Sequence, residues 1–317
     1  MNWVGSTVGA GILAAGILGC VAVANADPQP PSMPDMQLRS AGNRLVMLPD
    51  GRRLNVNCTG SGPATVVLEA GFDWGGSWSW FKVQPEIAKF ARVCSYDRAG
   101  IGLSDPGPLP RDGAHITADL HALMSALGEK PPYVLVGQSV GGVLVRVYRV
   151  RHPEDAAAMV LIDPAQPGKD AWRKPWKQKL LECLTLARSG AVNAGTKDCM
   201  PPGMDNPPPV VVTLAQRPAT WEMLLSELDN VDSYFAELKT NEHSPYATPL
   251  IVLTASEQNL DKKALTDWIA GHKRIAALST RGEQRLITKS SHSIQLDRPD
   301  AVVQAIKDAI AEAGVSR

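Results

Sequence analysis

A serine bracketed by glycines, Gly137-Gln138-Ser139-Val140-Gly141, stands where an apolar run (residues 133–136) ends and a helical pattern begins. Strand, sharp turn and helix meeting at one serine form a nucleophile elbow, which exposes the hydroxyl and turns the next amide toward whatever binds there. That hydroxyl is a weak nucleophile until a base takes its proton. The chemistry to expect is therefore acyl transfer, and a histidine, a carboxylate and oxyanion donors have to be found elsewhere in the chain.

Six histidines are available. His292 lies in Lys289-Ser290-Ser291-His292-Ser293, a polar loop after the last strand-like run and before the closing helix, where the order serine, acid, histidine requires the base. His152 stands at a helix end beside Pro153, His243 and His272 fall in polar stretches, and His115 and His121, at the start of or on an amphipathic helix over 116–127, face solvent. Three carboxylates compete for the acid. Asp163 ends the strand after the elbow helix, while Glu257 and Asp261 follow the strand that closes at Ala255. For the oxyanion, the glycine-rich loop Ala70-Gly71-Phe72-Asp73-Trp74-Gly75-Gly76 offers the Phe72 N–H as partner to that of Val140. Trp74 and Gln138 are the expected substrate contacts. Phe72, Trp74, Trp78 and Trp80 would crowd apolar surface around the same mouth. Asp97 and Arg98 read as a structural charged turn.

The elements that must hold these residues alternate in type. A hairpin over residues 44–58 turns at Pro49-Asp50-Gly51. Strands follow over 64–69, 92–96, 133–136 and 158–163, with helices over 85–90, 116–127 and 143–150. Such alternation predicts a mostly parallel sheet with helices on both faces. The pattern breaks at 164–246, a proline-rich insertion carrying Trp172, Trp176 and Trp221 and one clear helix over 220–238, which reads as a lid. Strands at 249–255 and 285–288 and a helix over 299–313 complete a core of 36–163 and 247–317.

With 317 residues, 44% of them hydrophobic, the chain can bury one large core. Lys plus Arg equals Asp plus Glu at 32 each, which points away from a nucleic-acid partner. Residues 1–26 contain no charged side chain and end in Ala24-Asn25-Ala26, as an export signal does, although the apolar run is also long enough to anchor the protein in a membrane. A linker over 27–35 has four prolines between Asp27 and Pro34. Beyond the signal remain Cys58, Cys94, Cys183 and Cys199, an even number suited to an oxidising compartment. Cys183 and Cys199 could staple the insertion, whereas Cys58 and Cys94, in strand-like runs, read as buried thiols. No cysteine spacing resembles a metal site, and the chemistry calls for no cofactor.

Three segments carry a family resemblance: Leu68-Glu69-Ala70-Gly71, the run from Cys94 to Asp105 (Cys-Ser-Tyr-Asp-Arg-Ala-Gly-Ile-Gly-Leu-Ser-Asp), and Gly137-Gln138-Ser139-Val140-Gly141-Gly142. With them the chain, over residues 36–313, resembles the α/β-hydrolase superfamily and its bacterial esterase and proline-iminopeptidase-like branch. Ala70 stands where that family often has a histidine, and the usual acid position after Ala255 is unclear. The resemblance implies a serine hydrolase acting on small ester substrates, and the export-like segment places it as secreted or periplasmic. It also implies neighbouring strands for Cys58 and Cys94, hence a conditional disulfide between them. An aminopeptidase-like amidase, with Glu69 or Asp73 holding a substrate amine, and a non-catalytic binding protein on the same fold are the rivals.

Overall fold

The computed structural model describes residues 43–73, 75–168, 171–200, 207–258 and 260–315. The expected signal and linker, and Trp74, lie outside these residues. Among the described residues no helix is long and apolar enough to cross a membrane.

Eight strands form one sheet: β1 (Asn43–Met47), β2 (Arg53–Thr59), β3 (Thr65–Glu69), β4 (Arg92–Tyr96), β5 (Tyr133–Gln138), β6 (Ala156–Ile162), β7 (Leu250–Ala255) and β8 (Gly282–Ile287). Their order across the sheet is β1-β2-β4-β3-β5-β6-β7-β8. β1 and β2 form the expected hairpin, β2 runs antiparallel to β4, and from β4 to β8 every pairing is parallel. The architecture is thus a mostly parallel sheet with helices on both faces, in agreement with the sequence. β3 and β5 to β7 are buried on both faces, so successive residues feed two different cores. Val67, Leu135, Met159 and Val252 pack on one side. Val66, Val134, Val160 and Ile251 pack on the other.

The helices are α1 (Gln84–Ile87), α2 (Gly113–Ala126), α3 (Val140–Arg151), α4 (Arg173–Arg188), α5 (Pro209–Ala215), α6 (Pro218–Asn241), α7 (Lys262–Ala276), α8 (Ile294–Asp297) and α9 (Pro299–Ala313). Three of them, α4 to α6, lie between β6 and β7, where the sequence shows one clearly. The lysines and arginines of α4 hide a narrow apolar stripe, Leu180, Cys183, Leu184 and Ala187, at the i, i+3, i+4, i+7 spacing that buries one helical face. That stripe packs with Trp221, Leu224 and Leu228 of α6, and the same cluster takes in Ile101 and Leu103 from the loop after β4. The insertion is therefore seated on the core. Trp80, expected near the mouth of the site, is a fully buried member of one sheet-face core.

Both disulfides form. Cys58 and Cys94 face each other across the β2–β4 pair and are bonded, with Cα atoms 4.1 Å apart; they are not free thiols. Cys183 and Cys199 staple α4 to the turn that follows it, closing a loop with a sequence separation of 16. A loop of that size restricts the unfolded chain by about 3 kcal/mol. The double substitution Cys183→Ser/Cys199→Ser should lower the unfolding free energy by roughly that amount. Urea denaturation of the oxidised protein and the variant measures it.

Candidate active site

The carboxyl ends of β3, β5, β6, β7 and β8 carry the residues singled out by chemistry. Ser139 connects β5 to α3 with φ 53° and ψ −119°. Positive φ in a non-glycine residue is costly and persists only where its surroundings fix it. Here two glycines permit the turn by close approach. A Cβ on Gly137 would come within 2.3 Å of the Gly141 carbonyl oxygen, and one on Gly141 within 2.4 Å of the Ala70 oxygen. The start of α3 therefore lies directly against the loop that leaves β3. The Ser139 N–H donates to Ile162 O (2.9 Å) and the Ser139 O accepts from Ala165 N–H (3.0 Å), locking the elbow to the segment around Asp163.

Asp163 also has positive φ, 44°, and its side chain is wholly buried. Its carboxylate accepts from the Ala255 N–H (3.0 Å), from Trp268 Nε1 (3.0 Å), from Gln258 Nε2 (2.9 and 3.2 Å) and from His292 Nδ1 (2.6 Å). Every partner is a donor, so the imidazole proton belongs on Nδ1 and the Nε2 lone pair is left available. His292 lies in the loop between β8 and α8, its side chain 45% exposed. Of the three carboxylates weighed from sequence, Asp163 is the one brought to His292. Glu257 is exposed. Asp261 caps α7 by accepting from the Ala264 N–H at 2.8 Å.

The sequence points to Gln138 as a substrate contact. Its side chain is buried, with Nε2 donating to the His292 carbonyl at 3.2 Å. A Cβ on Gly71 would lie 2.1 Å from its Oε1, so the amide is wedged between the glycine loop and the histidine loop. That wedge ties the residue preceding Ser139 to both. The Ser139 hydroxyl itself has no hydrogen-bond partner among the described residues; such contacts tighten when substrate fills a site. Neither the Phe72 N–H nor the Val140 N–H has a partner among them either, although Val140 is buried. The Phe72 ring packs at 5.5 Å against Trp172 and at 5.8 Å against Trp176, so an aromatic wall from the insertion borders the loop.

Asp97 and Arg98 hold structure, as expected. Buried Asp97 accepts from the Ser77 and Leu103 amides and from Asn55 Nδ2. Gln258 and Trp268 anchor Asp163, a role that no motif in the sequence assigns to them. The one signal was an amide at the place where an acid usually stands.

The chain matches the alpha/beta hydrolase family over residues 66–305. The chain belongs to this family. A hydrolase is the activity class that the membership supports. An uncharacterised protein of Bacillus subtilis (strain 168), YqjL, is 27% identical to this hydrolase over 249 residues, 78% of this chain and 84% of the relative. Among solved structures, a thermophilic esterase from Thermogutta terrifontis superposes with a TM-score of 0.63 at 20% identity, covering 86% of this chain and 99% of the other. A meta-cleavage product hydrolase from Pseudomonas fluorescens gives 0.61 at 19%, covering 85% and 98%. At such identities the likeness speaks for the fold alone.

His272, expected in a polar stretch, is fully buried beneath the Asp163 network of this hydrolase. The Pro164 carbonyl can only accept, so His272 Nε2–H donates to it at 2.8 Å; in the neutral ring Nδ1 then accepts from the Thr254 hydroxyl at 2.9 Å, whose oxygen accepts from Gln284 Nε2 at 2.8 Å. This is a neutral tautomer, and burial holds its pKa below the ordinary 6.5. Below pH 6.5 the unfolded chain binds a proton that the native chain refuses. The His272 contribution to stability is therefore complete above that pH and lost as pH falls from it toward the lowered native value. Denaturant titrations of wild type and His272→Gln should show a stability gap that is widest above pH 6.5 and narrows with acidification.

Proposed function

We propose that the protein is an exported serine hydrolase that cleaves carboxylic esters through an acyl-enzyme. The observation that carries this reading is the 2.6 Å contact between His292 Nδ1 and buried Asp163, set beside a serine at a positive-φ elbow. His292 Nε2 takes the Ser139 proton as Oγ attacks the ester carbonyl, and Asp163 stabilises the imidazolium that results. The Phe72 and Val140 N–H groups receive the developing oxyanion. The protonated imidazole then gives its proton to the departing alkoxide, which leaves as the alcohol. Water, deprotonated by the same nitrogen, releases the acid and restores Ser139.

Phe72, Trp172 and Trp176 suit a substrate with an apolar or aromatic acyl or alcohol part. Retention of an amine is less favoured, because neither proposed anchor is free. Glu69 is buried and accepts from Arg98 and Tyr96, and Asp73 accepts from Ser79 Oγ and the Gly75 and Gly76 amides. Two disulfides and the apolar residues 1–26 support a location outside the cytoplasm, secreted or periplasmic, with membrane contact if that segment is retained.

Turnover of p-nitrophenyl esters graded by acyl length, run beside aminoacyl anilides, tests the reading. Esters should be cleaved in preference to anilides, and a fluorophosphonate probe should label wild type but not Ser139→Ala. Asp163→Asn should lower kcat by about 10³- to 10⁴-fold, because an amide accepts the Nδ1 proton poorly and releases the tautomer, whereas Glu257→Gln should stay near wild type. Unaltered esterase activity in Ser139→Ala would remove the proposal.

A further inference from the structure

Arg98 is 3% exposed, and all of its donor groups are engaged. Nε and Nη2 form a two-point fork on Glu227 of α6, both at 2.9 Å. Nη1 reaches Glu69 Oε1 at 2.7 Å and the Ala70 carbonyl at 2.8 Å, and Nη2 reaches the Gly71 carbonyl at 2.8 Å. One guanidinium thus joins the end of β3, the first two peptides of the glycine loop and the middle of an insertion helix. A buried charge needs one partner to be tolerated; this one has two carboxylates and two backbone carbonyls as well.

The Gly71 carbonyl matters most. It accepts from Arg98 on one side and from the Asp73 N–H, at 3.0 Å, on another, so its direction is fixed twice. The 71–72 peptide is planar and trans, which sets its N–H antiparallel to its C=O. Fixing the Gly71 oxygen therefore fixes the Phe72 N–H, the same group that lacks a partner among the described residues. A cation on the carbonyl also polarises the amide, and hydrogen bonds in such a chain strengthen one another, which makes the N–H a stronger donor.

We propose that Arg98 is a positioning residue for the oxyanion hole, and that Glu227 couples the inserted helices to it by setting the guanidinium fork. This rests on the serine-hydrolase reading above. Arg98 touches no substrate atom; it acts through the Phe72 amide. The insertion would then have two effects on catalysis: it supplies the aromatic wall, and it holds the oxyanion donor in the direction the tetrahedral intermediate needs.

The test uses the full-length chain with Glu227→Gln and Arg98→Lys, each compared with wild type on one p-nitrophenyl ester. Lysine keeps the charge but cannot reach both carbonyls and a carboxylate in a fixed fork, and glutamine presents an N–H where Arg98 needs an acceptor. Burst titration with the ester normalises every rate to the competent fraction, so loss of folded protein does not masquerade as loss of rate. Removing an oxyanion donor outright costs about 10²- to 10³-fold in kcat, so misdirecting one should cost about 10- to 100-fold with KM nearly unchanged. Affinity for a trifluoromethyl ketone, which forms the tetrahedral adduct on Ser139, should fall in step with kcat. Normalised kcat and ketone affinity at wild-type values in both variants would overturn the assignment. Wild-type turnover in Ser139→Ala would instead overturn the serine reading on which it rests, so the two failures are distinguishable.

Discussion

A wholly buried carboxylate at the tip of β6 is the constraint around which the candidate site is arranged. Asp163 has lost its water and must recover hydrogen bonds from protein. It draws them from the end of β7 through the Ala255 amide, from the loop beyond through Gln258, from α7 through Trp268, and from the β8 loop through His292. Four separate pieces of chain are thereby held at one point. The direction of His292 follows from that convergence, because Nδ1 is the nearest donor and Nε2 is left over. His272, neutral and buried one layer below, packs its ring at 5.0 Å from Trp268 and so supports one of the donors. It stands 3.8 Å from Asp163, but in the neutral tautomer fixed by Thr254 this is packing and not an ion pair.

Legibility in the sequence followed the range of the interactions. The elbow at Ser139 could be read because a switch from strand to helix period and two glycines lie within a few residues of one another. The sheet was readable for the same reason, since its strands are short apolar runs whose two faces are both covered. The choice among Asp163, Glu257 and Asp261 was not readable. It depends on Gln258 and Trp268 turning donors toward β6, and those side chains are 95 and 105 residues away in sequence. Local polarity also misled: the stretch around His272 looks solvated, yet Gly271 and His272 lie on the buried side of an amphipathic helix. Helix α4 is hard to read in the sequence because its charged residues, ion-paired at the rim as in Arg173–Asp232 and Lys177–Asp229, outnumber the four that pack.

The insertion is more firmly joined to the core than a lid drawn from sequence would be. Its helices share an apolar cluster with Ile101 and Leu103, and α6 drives Glu227 into the buried pair with Arg98. A Cβ on Gly100 would clash with the Met223 side chain at 2.2 Å, so the loop after β4 and α6 are in close contact there. Opening such a contact exposes a paired guanidinium and two carboxylates along with apolar surface, which is far costlier than swinging a loosely packed loop. Wholesale departure of α6 is therefore disfavoured, and the insertion meets the glycine loop through the lighter contact of Trp172 and Trp176 with Phe72.

Two ionic networks thus divide the work at the carboxyl edge of the sheet. On the β6–β8 side, a carboxylate gathers donors and sets the tautomer of His292. On the β3–β4 side, a guanidinium gathers acceptors and sets the peptide before Phe72. Ser139 lies between them, with Gln138 wedged against Gly71 and bonded to the His292 carbonyl. The signs of the two networks follow from the groups they hold: a carboxylate, which accepts, orients an imidazole through its Nδ1–H, and a guanidinium, which donates, orients a peptide through its carbonyl. The carboxylate at the centre of one network and the guanidinium at the centre of the other are both buried, and each acts on the geometry around the serine through a neighbour, His292 on one side and the 71–72 peptide on the other.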